Sequence, residues 1–478
     1  MSIHLFELPT TGAVSFIDFV SDPQGAYTVE LAEATQARAN LRAALKESKR
    51  TDVKDYLRLV KVIDDYVPHL CGVLNCVDAG ELQLRSEPIF SWRTTLSAKL
   101  FHASPRLSVP GLRADLLFTL LTSAFALTNL AHAVLVSLGD YETQRSILET
   151  ERKEKDERLN FAVSLLGRAA GLFGWVGEVG LGEWEREVRE KSGLGRLERP
   201  VELSREVCAA LGKMSLADAQ SLAIRKLLTK AAFESTLIPG PPLPKSHPSP
   251  ALIAKLHLEC AALYSSARAL AKTPSSSKSK LSLSSKGKDK DRADGADDFG
   301  SGEVSPVLRH YLASEAALHA ALAHKWLGVD AGERSAAGEA VGFLAWAKHE
   351  LADAKDANAS KHPSASDREK ALREWRRARV VREAESVDAF LRGYGKMNDS
   401  VAFQDVPPRA ELQARVPAGR LAVARKEWAR PVPAFGPGSV EDARRRAEAL
   451  EVGQGGEGVE GVTSPGSAGS YAGSGSYF

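Results

Sequence analysis

Cysteine is scarce in this sequence: Cys71, Cys76, Cys208 and Cys260 are the four it contains across 478 residues. They form no CxxC, and no histidine follows them at zinc-finger spacing, so no metal site is assigned to them. Their even number leaves disulfides open on parity. A few scattered thiols in so long a chain read instead as reduced, buried cysteines. Charge of one sign is lacking too. Lys and Arg number 63 against 61 Asp and Glu, for a net charge of +2, so no global field attracts nucleic acid, and none is expected as a partner.

Catalytic signatures are missing as well. GxxxxGK[ST], HExxH and GxSxG do not occur. Gly453, Gly455 and Gly458 spell GxGxxG, but no strand pattern precedes them and the segment is low in complexity, so the match is taken as chance. With no nucleophile, base and orienter in a recognisable pattern, no catalytic residue, metal or cofactor is assigned and an enzyme is not expected. The opening "MSIHLFELPTTG" lacks a charged stretch followed by a long apolar run, so no secretory signal is read there. Ser2 excludes myristoylation, and the final "GSGSYF" has no prenylation cysteine.

What the sequence does have is helical periodicity. "YTVELAEATQARANLRAALKES" and "DYLRLVKVIDDYVPHLCGVLNCV" repeat apolar or small residues three and four apart, with Pro68 as an expected kink. Alternating strand patterns are nearly absent. Residues 116–138, "LLFTLLTSAFALTNLAHAVLVSL", carry no Asp, Glu, Lys or Arg and are long enough to span a bilayer. Thr, Ser, Asn and His are spread along the run, and no cluster of Lys or Arg marks a cytoplasmic end. Its many small residues suit close packing against other helices, so a buried core helix is expected rather than a membrane span.

Prolines in residues 237–250, "LIPGPPLPKSHPSP", predict a stiff corner between two helices, with Ser249 as cap and Pro250 opening the second. Residues 273–303 are rich in Ser, Lys, Asp and Gly and poor in bulky apolar groups, which predicts a disordered insert. Residues 316–328 and 338–351 pattern as a tetratricopeptide-like hairpin, which must stack on neighbours to be stable. Around Trp375, Arg368, Lys370, Arg373, Arg376, Arg377 and Arg379 form a basic stretch. It is a candidate surface for acidic lipid headgroups or an acidic partner, set against the simpler reading of a helix face paired with nearby glutamates.

The order of several blocks is distinctive: "EPIFSWRTTLS", the run 116–138, "RAAGLFGWV", "MSLADAQSLAIRKLL", "ALIAKLHLECAALY" and "MNDSVAFQDVPPRAEL". In this order they resemble the successive blocks of the Bro domain of Alix-type ESCRT adaptors. "LPTTGA", "EATQARANLRAALKESKRT" and "PGPPLPKSHPSP" are most similar to fungal pH-response members of that family. The resemblance implies an all-α, boomerang-shaped helical solenoid with tetratricopeptide-like helix hairpins. It would occupy residues 1–408 around the insert at 273–303, with 409–478 as a short, mostly flexible tail.

The resemblance also implies a non-enzymatic, cytoplasmic adaptor recruited to cortical sites on the plasma membrane or to endosomes without crossing a membrane. Its implied partners are pH-signalling components at the plasma membrane and the Snf-type ESCRT-III subunit, whose C-terminal helix would enter an apolar groove. The outcome would be proteolytic activation of a pH-responsive transcription factor. General endosomal sorting and a peripheral membrane scaffold are the alternatives. The family's groove positions fall here on Ala223, Leu252 and Leu256. Leu252 and Leu256 are one helical turn apart and share a face. Ala223 stands where Alix has a large aromatic residue. The block from Met397 also lacks the tyrosine that Alix-type domains carry, so tyrosine-kinase regulation is not implied.

Overall fold

The computed structural model describes residues 3–96, 106–144, 147–192, 200–237, 239–272, 304–357 and 367–454. Two helices, α1 (Thr28–Arg50) and α2 (Tyr56–Asp78), lead into α3 (Leu112–Leu138) and α4 (Glu149–Trp175). A π-helical turn at Val176–Gly180 joins α4 to α5 (Leu181–Ser192). Next come α6 (Arg205–Leu237), α7 (Pro250–Ala271), α8 (Pro306–Glu333), α9 (Ala337–Ala357) and α10 (Asp367–Met397). The short α11 (Arg409–Ala414) and α12 (Val440–Gln454) close the described chain. The main helices pack in series, α1 on α2, α2 on α3, α3 on α4, α4 on α6, and onward in steps from α6 to α10. The fold is an all-α solenoid, because each helix buries its apolar stripe against its neighbours in the series.

The strands are few, as the scarcity of alternating patterns implies. β1 (Val20–Ser21) pairs antiparallel with β2 (Gln83–Leu84), and β3 (Ile89–Arg93) with β4 (Arg106–Pro110). Phe90 and Trp92 of β3 alternate inward and are fully buried.

The uncharged run lies in α3, at the heart of the array. Within Leu112–Thr143, 72% of the most apolar 18-residue window is buried; Glu149–Glu190 also meets the length and composition of a span and is 61% buried. The start of α3 carries a buried ion pair. Arg38 of α1 donates from Nε and Nη2 to the two Asp115 oxygens, each at 2.9 Å. Tyr66 of α2 and Trp92 of β3 donate to the same carboxylate at 2.7 and 2.8 Å. Asp115 is thus fully satisfied although its exposure is 0%, which is what a buried charge requires. Three other elements are thereby pinned to one residue of α3.

Pro68 sits inside α2, which continues through it. Pro250 opens α7 as its position predicts, but Ser249 makes no side-chain capping bond. The tetratricopeptide-like pair is α8 and α9. A Cβ at Gly328 would crowd Leu344 Cγ at 2.8 Å, so the glycine lets the two helices approach closely. All four cysteines are free and buried, and burial raises every thiol, Cys71 to about 11 and Cys76 and Cys208 to about 12. The insert 273–303 lies outside the described residues.

The largest departure concerns the chain after Arg409. Far from being free, residues 415–439 run as an extended strap back along the array. Arg420 N donates to Lys255 O of α7 at 3.0 Å, Lys426 N to Gly167 O of α4 at 3.0 Å, and Ala434 N to Pro68 O of α2 at 3.0 Å. Trp428 meets Trp175 edge-on with ring centroids 4.5 Å apart. Phe435 is buried against Gly72, and Asn75 Nδ2 donates to Pro437 O at 2.9 Å. A Cβ on Gly171 would overlap the Lys426 carbonyl oxygen, so α4 offers a bare backbone track on which the strap lies.

Candidate partner-binding groove

α6 and α7 run antiparallel, as their cross-links show. Cys260 Sγ approaches Ala217 O at 3.7 Å, and Gln220 Nε2 donates to Leu256 O at 2.8 Å. Gln220 is a hub. Its amide also donates to Arg420 O of the strap at 3.1 Å and accepts from Ala422 N at 2.8 Å. The buried amide has no water to turn to, so it fixes where the strap crosses the helix pair.

One turn beyond this crossing, Ala223 follows Gln220 on α6 and Leu252 precedes Leu256 on α7. Because the helices are antiparallel, both steps lead in the same direction, and both residues are half-buried. Leu227, a further turn along α6, is 42% exposed, and Leu421 on the strap is 48% exposed. Ala223, Leu227 and Leu252, with Leu421 of the strap crossing beside them, line up as a candidate apolar strip along the α6–α7 seam. Leu256 does not belong to it. Its exposure is 1%, below the strap crossing, so it is a core residue and not an accessible groove contact. The residues that sequence reasoning misses are Leu227 and Leu421. Leu227 is visible as i+4 from Ala223, whereas Leu421 sits in a segment with no periodicity to place it.

A polar network underlies the strip. Tyr264 of α7 and Tyr311 of α8 both donate to Asp218 Oδ1 of α6 at 2.5 Å, while Asp218 Oδ2 has no partner. Burial pushes the Asp218 carboxyl up to about 7. His257 and His319 meet through their Nδ1 atoms at 2.8 Å, and His319 Nε2 lies 3.2 Å from Ser221 Oγ. One imidazole must offer a lone pair for that contact to be a hydrogen bond. Burial holds both neutral, His257 to about 3 and His319 well below its usual value. The described residues contain no group of three or more His, Cys, Asp or Glu able to hold a metal ion.

The basic stretch on α10 divides between surface and interior. Lys370 and Arg377 are exposed and Arg373 is half-buried. Arg376 and Arg379 are each only 8% exposed, which corrects their assignment to an acidic-surface site. Arg379 Nη1 pairs with Glu315 Oε2 of α8 at 3.1 Å, and the Arg376 guanidinium lies 5.7 Å from the Tyr311 ring centre. Three-residue spacing puts both on the inward stripe of α10, where buried partners take the place of the candidate acidic surface, in line with the simpler reading of a paired helix face. The side chain of Arg368 lies outside the described residues.

Comparison with known proteins bears on this architecture. A family described as BRO1-like domain matches residues 15–433. The chain is 37% identical over 466 residues to the pH-response regulator protein palC of Cryptococcus neoformans var. neoformans serotype D (strain B-3501A), covering 92% of this chain and 94% of that one. It is 22% identical over 453 residues to the protein of the same name from Yarrowia lipolytica (strain CLIB 122 / E 150), covering 88% and 92%. Among solved structures, a complex of ALIX BRO1 with CHMP4C superposes with a TM-score of 0.56 at 17% identity, over 91% of this chain and 97% of that one.

Proposed function

The chain belongs to the BRO1-like domain family, and on that premise we propose that it is a non-enzymatic adaptor whose α6–α7 strip receives a helix of an ESCRT-III subunit of the Snf type. The observation that carries this reading is the exposure of Leu227 and Leu421, and the partial exposure of Ala223 and Leu252, beside the point where the strap crosses α6 and α7. Helix-in-groove recognition needs a few such anchors at helical spacing and little else. The CHMP4C complex of ALIX BRO1, of the same fold, supports the choice of partner.

The pH-response regulators among its relatives support the cellular role. In this reading the adaptor joins an alkaline-pH sensing complex at the plasma membrane to ESCRT-III, and a pH-responsive transcription factor is then activated by proteolysis. Its site of action is the cytoplasmic side of cortical plasma membrane or endosomes, by recruitment. Lys370, Arg373 and Arg377 remain as residues for peripheral contact with acidic lipids.

The test is binding of the full chain to the C-terminal helix of the Snf-type subunit, with Leu252→Asp and Leu227→Asp as variants. Replacing a central anchor costs on the order of 2 kcal/mol or more, roughly a 30-fold loss of affinity. Circular dichroism checks that the variants stay folded. No binding by the unmodified chain would remove the direct contact from the proposal. Loss of growth at alkaline pH on deletion separates the pH-signalling role from general endosomal sorting.

A further inference from the structure

The turn between α1 and α2 carries the most exposed large apolar side chain among the described residues. Val53 is 88% exposed, and Leu57, in the first turn of α2, is 49% exposed. The backbone that holds them out is tied down on both sides. Thr51 N donates to Glu47 O of α1 at 3.0 Å, and the Asp55 carboxylate accepts from Arg58 N of α2 at 2.9 Å. Lys54 Nζ reaches the carbonyl oxygens of Ser48 and Thr51. Val53 therefore stands at the apex of a fixed turn.

Positive charge collects at the same place. Residues 46–61 hold six Lys and Arg against three Asp and Glu, a local +3 in a chain of net charge +2, so the rest of the chain nets −1. Two of the three acids are engaged: Glu47 pairs with Arg58 at 3.0 Å, and Asp55 caps α2. Lys49, Arg50 and Lys61 are exposed and Lys46 is half-buried, and none of the four enters an ion pair with a described residue. A lone exposed apolar residue is ordinary. Two of them at the apex of a cationic turn match a layer of acidic lipid headgroups. The Lys and Arg heads meet phosphate and carboxylate, their stems lie along apolar surface, and the apex enters the acyl boundary. A nucleic acid would use the cations and leave Val53 and Leu57 in water.

We infer that the α1–α2 turn is a membrane-contact tip, seated on a bilayer rich in acidic lipid. It uses neither the α6–α7 seam nor the cations of α10, so it stands or falls apart from the adaptor reading. The contact is shallow and reversible, because two apolar side chains are far less than a lipid anchor.

The experiment is flotation of the full chain with vesicles of phosphatidylcholine alone and of phosphatidylcholine mixed with phosphatidylserine, at low and high salt. The expected result is flotation with the mixed vesicles at low salt only. Lys49→Glu with Arg50→Glu should weaken it by about 25-fold or more, since each cation lost counts for about 5-fold. Val53→Asp should weaken it about 10-fold, and circular dichroism checks that the variants stay folded. A polarity-sensitive fluorophore on Val53→Cys, the native thiols being buried, should shift to the blue on the mixed vesicles and not on phosphatidylcholine. No flotation with the mixed vesicles, Val53→Asp floating as well as the unmodified chain, or an unshifted fluorophore would overturn the inference. Lys370→Glu with Arg377→Glu is the matched control and should leave flotation in place. If it abolishes flotation while Lys49→Glu with Arg50→Glu does not, lipid contact belongs to α10 and the inference fails. It fails too if soluble polyglutamate binds through Lys49 and Arg50 while vesicles do not, which would assign the tip to an acidic protein.

Discussion

Replacing Gly171 with alanine should loosen the strap, although the same change in most helices stabilises. In an unobstructed helix interior, Gly→Ala is favourable by about 1 kcal/mol. At Gly171 the added Cβ collides with the Lys426 carbonyl, which is backbone and cannot swing aside as a side chain would. The strap must lift locally. It then loses the Lys426 N–Gly167 O bond at 3.0 Å and the Trp175–Trp428 contact at 4.5 Å. A backbone hydrogen bond is worth about 1 kcal/mol and an aromatic pair about as much again, before the buried area of Trp428 is counted. The losses exceed the helix gain, so strap seating should weaken by roughly 1–2 kcal/mol. A Cβ added at Gly395 of α10 would meet nothing within 4 Å, which makes that glycine the natural control. Hydrogen exchange followed by mass spectrometry reads the effect directly. Protection of the strap amides of Ala422, Lys426 and Ala434 should fall roughly 10-fold in Gly171→Ala and stay unchanged in Gly395→Ala. Strap amides as well protected in Gly171→Ala as in the unmodified chain would refute the reasoning.

Leu256→Ala should destabilise the fold by about 2–5 kcal/mol, because it empties a core position, whereas Leu252→Ala should cost markedly less and act chiefly on binding; denaturant melts of the two variants distinguish core from groove. The Asp218 carboxyl, raised to about 7 by burial, keeps its proton in the folded state over a range where the unfolded chain has lost it. Its contribution to stability is therefore full below the ordinary carboxylate range and is lost as pH rises towards 7. Asp218→Asn should flatten the decline between about pH 4 and 7, and its melting temperature at about pH 8 should equal or exceed that of the unmodified chain. The two buried histidines act in the opposite sense. Their folded-state values are depressed, so stability falls as pH drops below about 6.5, and His257→Gln should lessen that acid-side loss.

The helices are legible in the sequence because burial imposes a period on them. The uncharged run of α3 reads as core from its small and hydroxylated residues, and Pro250 announces the start of α7 through chain chemistry alone. The proposed groove is legible only by resemblance. Ala223 and Leu252 are half-buried, but nothing in the spacing of Leu252 and Leu256 says that the strap crosses above the second and not the first. Arg376 and Arg379 mislead because a positive stripe looks alike whether it faces water or a buried Glu315 and the Tyr311 ring. The strap itself is extended and broken by Pro417, Pro431, Pro433 and Pro437, so no periodicity marks it. Its trace in the sequence is indirect. Gly167, Gly171 and Gly174 break an otherwise helix-favouring stretch of α4 on a single face, a cost that makes sense only if another backbone comes close.

The strap also sets an order of events in the making of the molecule. Asn75 and Pro437 are 362 residues apart in sequence, and Arg425 reaches back 247 residues to Glu178. The helical series can assemble from neighbours as each emerges during synthesis, but these closures wait until residues 415–439 have emerged. The strap that borders the proposed groove therefore joins the fold only after α1 to α10 have been made. A nascent chain with α6 and α7 already packed would still lack the bonds of Gln220 to Arg420 and Ala422.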